Sequence, residues 1–222
     1  HAWGYEPCTM AEVKAYRPAS NSISTGQVLS CPYEFDKARI VTMEMCEALA
    51  LDLVEKHLVS DQIVLSIGYD AQSLMAPGAP YTGEISTDFY GRSVPKHAHG
   101  TKNLPRHTSS TNEILHATMA LYDEIVNKSL LIRRINLTAC RIVNEEIRNK
   151  SIPKQKDIFN SIEVIQASEN AENDAYEREK SIQRAMIRIK QKHGKNAILK
   201  GLSFEEGATM RERNGQIGGH KA

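Results

Sequence analysis

The sequence predicts an α+β fold, a split βαβ (βαββαβ) unit in which a four-stranded antiparallel sheet carries two helices on one face, followed by a helical C-terminal extension. Three observations lead there. Segments of two-residue and of three- to four-residue apolar period alternate in the order strand, helix, strand, strand, helix, strand. Start signals stand where the helical periods begin: Pro32 before the first, Ser110 and Glu113 at the second. The chain has 222 residues, 41% apolar and 25% charged, enough to bury one sizeable core.

Taken in order, "HAWGYEPCTMAEVKAYRPAS" sets Trp3 and Tyr5 in a stretch with little local pattern to bury them. It reads as the end of something larger. Thr9 and Glu12 form a capping-box pair that opens a short helix stopped by Pro18. "NSISTGQVLS" places Ile23 and Val28 among serines, predicting a half-exposed strand interrupted at Gly26. "PYEFDKARIVTMEMCEALALDLVEKHLV" is the clearest helix, with Ala38, Val41, Met45, Leu49 and Leu53 at three- and four-residue steps.

"DQIVLSIGYD" is the next strand, with Ile63, Leu65, Ile67 and Tyr69 on one face. A loop rich in Gly, Pro and Ala runs through "APGAPYTGE", and a further extended region covers residues 98–108. "SSTNEILHATMALYDEIV" is the second helix, capped by Ser110 and Glu113 and striped by Ile114, Thr118, Leu121 and Ile125. "LLIRRINLTACRIV" closes the unit. Leu131, Ile135, Leu137, Ala139 and Val143 face one way, while Arg134, Asn136 and Thr138 face the other.

Residues 144–161 are polar and irregular, except that Ile158 and Phe159 stand side by side in "SIPKQKDIFNS". Such a pair either folds back onto a core or is offered to a partner. "ENAENDAYEREKSIQRAMIRIKQKHG" then reads as a helix closed by Gly194, acidic in its first half and basic in its second, as the helix dipole favours. Its apolar stripe, Ala175, Ile182, Met186 and Ile189, is thin, which predicts weak packing. Residues 195–222 are expected to be flexible in isolation.

The formal net charge is +1, so any affinity for nucleic acid has to come from local clustering. Cys8, Cys31, Cys46 and Cys140 show neither CxxC nor Cys/His ligand spacing and read as reduced thiols. With no run of about 18 apolar residues and no signal-peptide pattern, the expectation is a cytoplasmic protein with no membrane partner. The chain begins at His1 and reads as a fragment, an excised domain or a processed product. An enzyme acting on small molecules would need a convergent acid, base or nucleophile set. No Cys or Ser has a His partner by motif, and no glycine-rich phosphate loop follows a strand, so no catalytic residue and no small-molecule substrate are expected.

A sheet covered on one side leaves the other open. The residues expected there are small, polar or basic: Ser20, Ser22, Ser24 and Thr25 of the first strand, then "RSVPKHAHGTKNLPRH" at 92–107, with four Lys/Arg, three His and no acid, then "RRIN" with Arg133 and Arg134. Lysine and arginine neutralise phosphates, and hydroxyls with strand amides position a backbone without reading its sequence. The plain alternative is a solvated strand face with ordinary loop charges. Arg133 falls on the apolar parity of its strand and could cap the sheet edge instead. His97 and His99 share a strand face with His107 within reach, but no carboxylate or cysteine stands near them, so no metal is expected; they read as hydrogen-bonding or phosphate-contacting groups.

These segments resemble a known family. "AYRPASNSISTGQVL" is similar to the linker and opening strand of the little-finger domain of Y-family lesion-bypass DNA polymerases of the UmuC/DinB type, "GTKNLPRHTSST" to its strand-to-helix segment, and "LLIRRINL" to its closing strand. "HAWGYEP" resembles the end of the thumb, and "GKNAILKG" with "EEGATMRERNGQIGGHKA" resembles the Gram-positive branch. The resemblance implies four parts: 1–19 thumb end and linker, 20–145 little finger, 146–166 linker with a clamp-binding peptide, and 167–222 a helical, partly flexible tail.

It further implies sequence-independent binding of damaged primer-template DNA in translesion synthesis and the SOS response, through Ser22, Ser24, Thr25, Lys102, Arg106, Arg133 and Arg134. Where the family usually has an Arg, Lys102 is followed by Asn103, so the bidentate contact is lost and a point charge remains. Gln155, Asp157, Ile158 and Phe159 align with the family's "QLxLF" sliding-clamp peptide, Lys156 replacing the usual Leu. No cofactor is expected in this chain. The Mg2+ of such a polymerase belongs to a palm, which the chain lacks, so it should not transfer nucleotides alone. The competing reading is a free-standing nucleic-acid-binding module of ferredoxin-like topology.

Overall fold

Alternation of side chains along four long strands sets the architecture. A computed structural model describes residues 8–16, 21–75, 81–88, 90–148, 162–217 and 220–221. In chain order the elements are α1 (Met10–Ala15), β1 (Ser22–Tyr33), α2 (Phe35–Glu55), β2 (Leu58–Tyr69), the hairpin β3 (Ile85–Thr87) and β4 (Ser93–Pro95), β5 (Ala98–Thr108), α3 (Thr111–Ile125), β6 (Ile132–Cys140), β7 (Val143–Asn144), α4 (Glu145–Arg148), α5 (Ile162–His193) and α6 (Met210–Arg213).

The four long strands pair in the order β1-β6-β2-β5, each pair antiparallel, with β7 extending the partner row of β2. Both β1 and β2 are antiparallel to β6, so they run parallel to each other with β6 between them. That is the split βαβ arrangement the periods predict. Helices α2 and α3 lie on one face. There, Ile63, Leu65 and Ile67 of β2 and Ile135, Leu137 and Ala139 of β6 meet Ala38, Val41, Met45, Leu49 and Leu53 of α2 and Ile114, Leu121 and Tyr122 of α3, all buried. The hydroxyl of Tyr122 donates to the Phe35 carbonyl at 2.8 Å, and the two rings pack at 4.9 Å. Cys46 is sealed in this core, where burial pushes its thiol up to about 12. None of the four cysteines is in a disulfide.

Local signals and tertiary contacts disagree at a few places. The first strand is not interrupted at Gly26; its register with β6 is regular from Ser22 to Val28 and breaks only beyond that. Asn136 of β6 lies over Gly26: a Cβ there would stand 2.5 Å from the Asn136 Oδ1, so that side chain would have to shift. The cap of α3 is half a capping box. Ser110 Oγ accepts from the Glu113 amide at 3.2 Å, but the Glu113 carboxylate turns to Arg106 instead of back to the cap. At α1 both arms of the box between Thr9 and Glu12 are made.

The C-terminal extension is docked on a stripe that shares only Met186 with the expected one. Ile182 and Ile189 are 57% and 38% exposed, and Ala175 is exposed as well. The buried side is Tyr176, Lys180, Gln183 and Met186. Three of the four are polar and each finds a partner: Gln183 donates to the Ser109 carbonyl at 3.0 Å and to Thr111 Oγ1 at 2.8 Å, Tyr176 pairs with Ser109 Oγ at 3.1 Å, and Lys180 pairs with Glu145. Glu179 accepts from the Asn112 amide at 3.0 Å and from Ser110 Oγ at 2.6 Å. Helix α5 thus supplies a carboxylate to the N-terminus of α3, where the dipole favours it.

Residues 195–217 are likewise held in place, not detached. The Glu44 carboxylate accepts from the amides of Thr209 and Met210 at 2.7 and 3.1 Å, capping α6 from α2. Arg213 donates to Gln27 Oε1, Thr25 Oγ1 and the Gly26 carbonyl at 3.1–3.2 Å. Their partners lie more than 160 residues earlier in the chain, so no local pattern announces them. Among the described residues no helix is long and apolar enough to cross a membrane.

Candidate functional site

The face of the sheet away from α2 and α3 is built from the polar parity of all four long strands. Register aligns it in transverse rows: Ser22, Cys140, Gln62 and Asn103; Ser24, Thr138, Val64 and Thr101; Gly26, Asn136, Ser66 and His99; and Val28, Arg134 and Gly68. Small residues let the backbones and long side chains lie close. A Cβ at Gly68 would stand 3.2 Å from the Arg134 Cβ. Hydroxyls and amides link neighbouring strands, Ser24 with Thr138 at 2.9 Å and Gln62 donating to Asn103 at 2.9 Å. Arg134 is exposed and, among the described residues, forms no ion pair. The face offers hydroxyl and amide donors, imidazoles and one solvated guanidinium, groups that hold a polyanion through its phosphates.

The seven residues expected to contact DNA are divided by this geometry. Ser22, Ser24 and Arg134 stand on the open face. Thr25 does not: its parity turns it to the helix side, where Arg213 donates to its hydroxyl. Lys102 also falls on the helix side of β5, in the parity of Gly100, whose added Cβ would meet Leu121 and Ile125 of α3; its ammonium is 3.7 Å from Glu124. Arg106 lies beyond a register shift of β5, pairs with Glu113 of α3 and lies over the ring of Tyr176 on α5. Arg133 sits at the sheet end with its guanidinium 3.8 Å from Asp70. Strand parity accounts for Thr25 and Lys102, whereas Arg106 and Arg133 stand where the registers of β5 and β6 shift and are defined by their ion pairs.

The basic window at 92–107 is thereby neutralised. Arg92 pairs with Asp88 and Lys96 with Glu84, both across the β3–β4 hairpin, while Lys102 and Arg106 meet acids of α3. The Asp88 carboxyl is held below its ordinary value, first by the Arg92 amide and also by the Arg92 side chain. His107 lies 3.7 Å from Asp61, whose other oxygen holds Arg141 Nε at 2.8 Å. His97 and His99 remain exposed with their rings edge to face at 6.4 Å. Among the described residues no group of three or more His, Cys, Asp or Glu is placed to hold a metal ion.

Residues beyond the seven complete the face: Asn136 and Thr138 of β6, whose parity the sequence indicates, and Gln62, Ser66, Thr101 and Asn103, which the sequence did not single out for it. The signal for them was the alternation of small polar residues on β2 and β5, readable once the covered parity was known. Gln155, Asp157, Ile158 and Phe159 lie outside the described residues.

Residues 20–152, more than half of the chain, match the family described as the impB/mucB/samB family C-terminal domain. No curated protein matches the chain. The matched span begins just before β1 and ends just beyond α4, so it takes in the whole sheet, both covering helices and the open face. The chain therefore belongs to the impB/mucB/samB family, with the C-terminal module of a UmuC-type polymerase between residues 20 and 152.

Proposed function

We propose that the open face of the sheet binds the backbone of damaged primer-template DNA without reading its sequence, and that the segment after the domain tethers the chain to a sliding clamp. The setting is translesion synthesis in DNA repair and SOS damage tolerance, and the tail's resemblance points to a Gram-positive source. One observation carries the DNA reading: a whole face formed by four long strands, left uncovered by helix among the described residues, bears hydroxyls and amides around an exposed Arg134 that forms no ion pair with any described residue. Ser22, Ser24, Thr101, Asn136 and Thr138 would donate to phosphate oxygens, and Arg134 would displace a counterion.

Fluorescence anisotropy with a primer-template duplex, titrated with salt, tests it. Arg134→Ala is expected to weaken binding equally across unrelated sequences and to lower the salt slope by about 1. An unchanged slope would remove this face from the interface. The tethering part rests on sequence alone. Ile158→Ala combined with Phe159→Ala is expected to abolish binding to a sliding clamp and to leave DNA binding intact, because the two apolar side chains would be the anchors of a short peptide. Clamp binding that survives the double change would return the pair to a structural role.

A further inference from the structure

We propose that the outward side of α5, continued by Arg211 and Phe204 of the tail, is a second nucleic-acid surface, one that takes single-stranded DNA. Residues 178–217 hold ten Lys/Arg against four Glu, in a chain whose net charge is only +1. Arg184, Arg188 and Lys192 are exposed and follow one another at four-residue steps, so they stand in one row about 12 Å long on the helix. That row turns away from the buried side of Tyr176, Lys180, Gln183 and Met186. Just beyond it the chain leaves the helix at Gly194, and Lys195 is exposed as well. Asn196 donates to the Arg211 carbonyl at 3.0 Å, which ties α6 to the end of the row. There the Arg211 guanidinium lies 5.1 Å from the centre of the Phe204 ring, which is 65% exposed.

The acids of the fold leave this row its charge. Among the described residues Arg184, Arg188, Lys192, Lys195 and Arg211 form no ion pair. Of the four Glu, Glu179 is bound to the start of α3 and Glu206 to Lys37, while Glu205 and Glu212 pair with none of the five cations. Asp174 and Glu177 stand about two turns or more ahead of Arg184 on the helix. A row of unpaired cations is a surface that neutralises successive phosphates. The core of a protein interface, by contrast, is apolar and poor in charge. The exposed ring beside Arg211 decides for a single strand over a duplex, because only unstacked bases can lie on an aromatic side chain. Gln191 of α5 donates to Glu55 of α2 at 2.7 Å, and Gln183 to Thr111 of α3. Helix α5 therefore lies on the helix side of the sheet, and this surface is separate from the open face.

The probe is a fluorescent oligothymidine of about 20 nucleotides, titrated by anisotropy with the full 222-residue chain between about 50 and 200 mM salt, with circular dichroism of each variant as the control for folding. Combining Arg184→Gln, Arg188→Gln and Lys192→Gln is expected to weaken binding on the order of tenfold at the lower salt and to reduce the salt slope by about 2. Phe204→Ala is expected to weaken it about fivefold or more with the slope unchanged, the signature of lost stacking. Combining Arg92→Gln, Lys96→Gln and Lys102→Gln removes the same charge from the paired window and is expected to change affinity by no more than about twofold, because those cations already have acids for partners. Single-strand binding that is absent in the wild type, that survives the triple change on α5 with its slope intact, that is indifferent to Phe204→Ala, or that falls equally in the charge-matched control overturns this inference. So does a polyglutamate peptide that binds as tightly as the oligonucleotide and is lost with the same three residues, which would assign the surface to an acidic protein. Duplex binding through the open face is read separately with Arg134→Ala, so either surface can fail while the other stands.

Discussion

The two faces of the sheet are made by the same four strands, residue by alternate residue, and they obey different rules. On the covered face Ile63, Leu65, Ile67, Ile135 and Leu137 are fully buried, and two charged side chains of β5, Lys102 and Arg106, are drawn to Glu124 and Glu113 of α3. On the open face the side chains are short, they bond to one another across strands, and Arg134 extends over Gly68 into solvent. Whether a cation of this sheet is paired within the fold thus depends less on local charge density than on which side of a strand it leaves. The window with no acid in its sequence is almost fully paired in space, while the isolated Arg134 is not.

Neighbouring residues of one strand give the sharpest way to break that contrast. Leu137→Ala removes a fully buried side chain from the centre of the sheet and is expected to cost about 2–5 kcal/mol in urea unfolding. Thr138→Ala, the next residue but on the open face, is expected to stay within about 0.5 kcal/mol. Equal costs would mean that the open face is packed after all. The glycines offer a smaller version. Gly100→Ala drives a methyl to within 2.8 Å of Leu121 Cδ1 in the core, an overpacking expected to cost about 1–3 kcal/mol. Gly26→Ala meets only the end of the Asn136 side chain, which can swing into solvent, so thermal unfolding is expected to change by about 0.5 kcal/mol or less. The smallest effect is expected at Lys102→Ala. Its pair with Glu124 is half-exposed, so stability should change by less than about 1 kcal/mol, and DNA affinity measured alongside Arg134→Ala should stay within about twofold. A loss as large as that of Arg134→Ala would restore Lys102 to the interface.

Much of the fold was legible because its signals are local. Ala38, Val41, Met45, Leu49 and Leu53 are all buried on α2, as their spacing predicts, and Ile63, Leu65 and Ile67 are buried on β2. Ser110 caps α3 where the sequence places it. The candidate site was legible in part. Ser22, Ser24 and Arg134 follow from strand alternation, but Thr25, Lys102 and Arg106 were chosen for their chemistry; Thr25 and Lys102 stand on the other parity and Arg106 is drawn to Glu113 beyond a register shift. On α5 hydropathy selected Ile182 and Ile189, whereas Gln183, Tyr176 and Lys180 are buried because Ser109, Thr111 and Glu145 satisfy them.

Period and capping, which act over a turn of helix or a few residues of strand, indicated the long strands and helices and which of their faces are apolar, although Pro32, read as a helix start, lies in β1 and α2 opens at Glu34 without a side-chain cap. Partners separated by many tens of residues could only be assigned by folding. Pairing of β6 between β1 and β2 brought Asn136 over Gly26 and Arg134 over Gly68; packing of α3 on β5 neutralised Lys102 and Arg106; Glu44 on α2 captured α6, and Glu179 on α5 capped α3. Those choices belong to the tertiary structure because a charge or a hydrogen bond is satisfied by whatever lies within about 3–4 Å of it, and chain order alone does not say what that is.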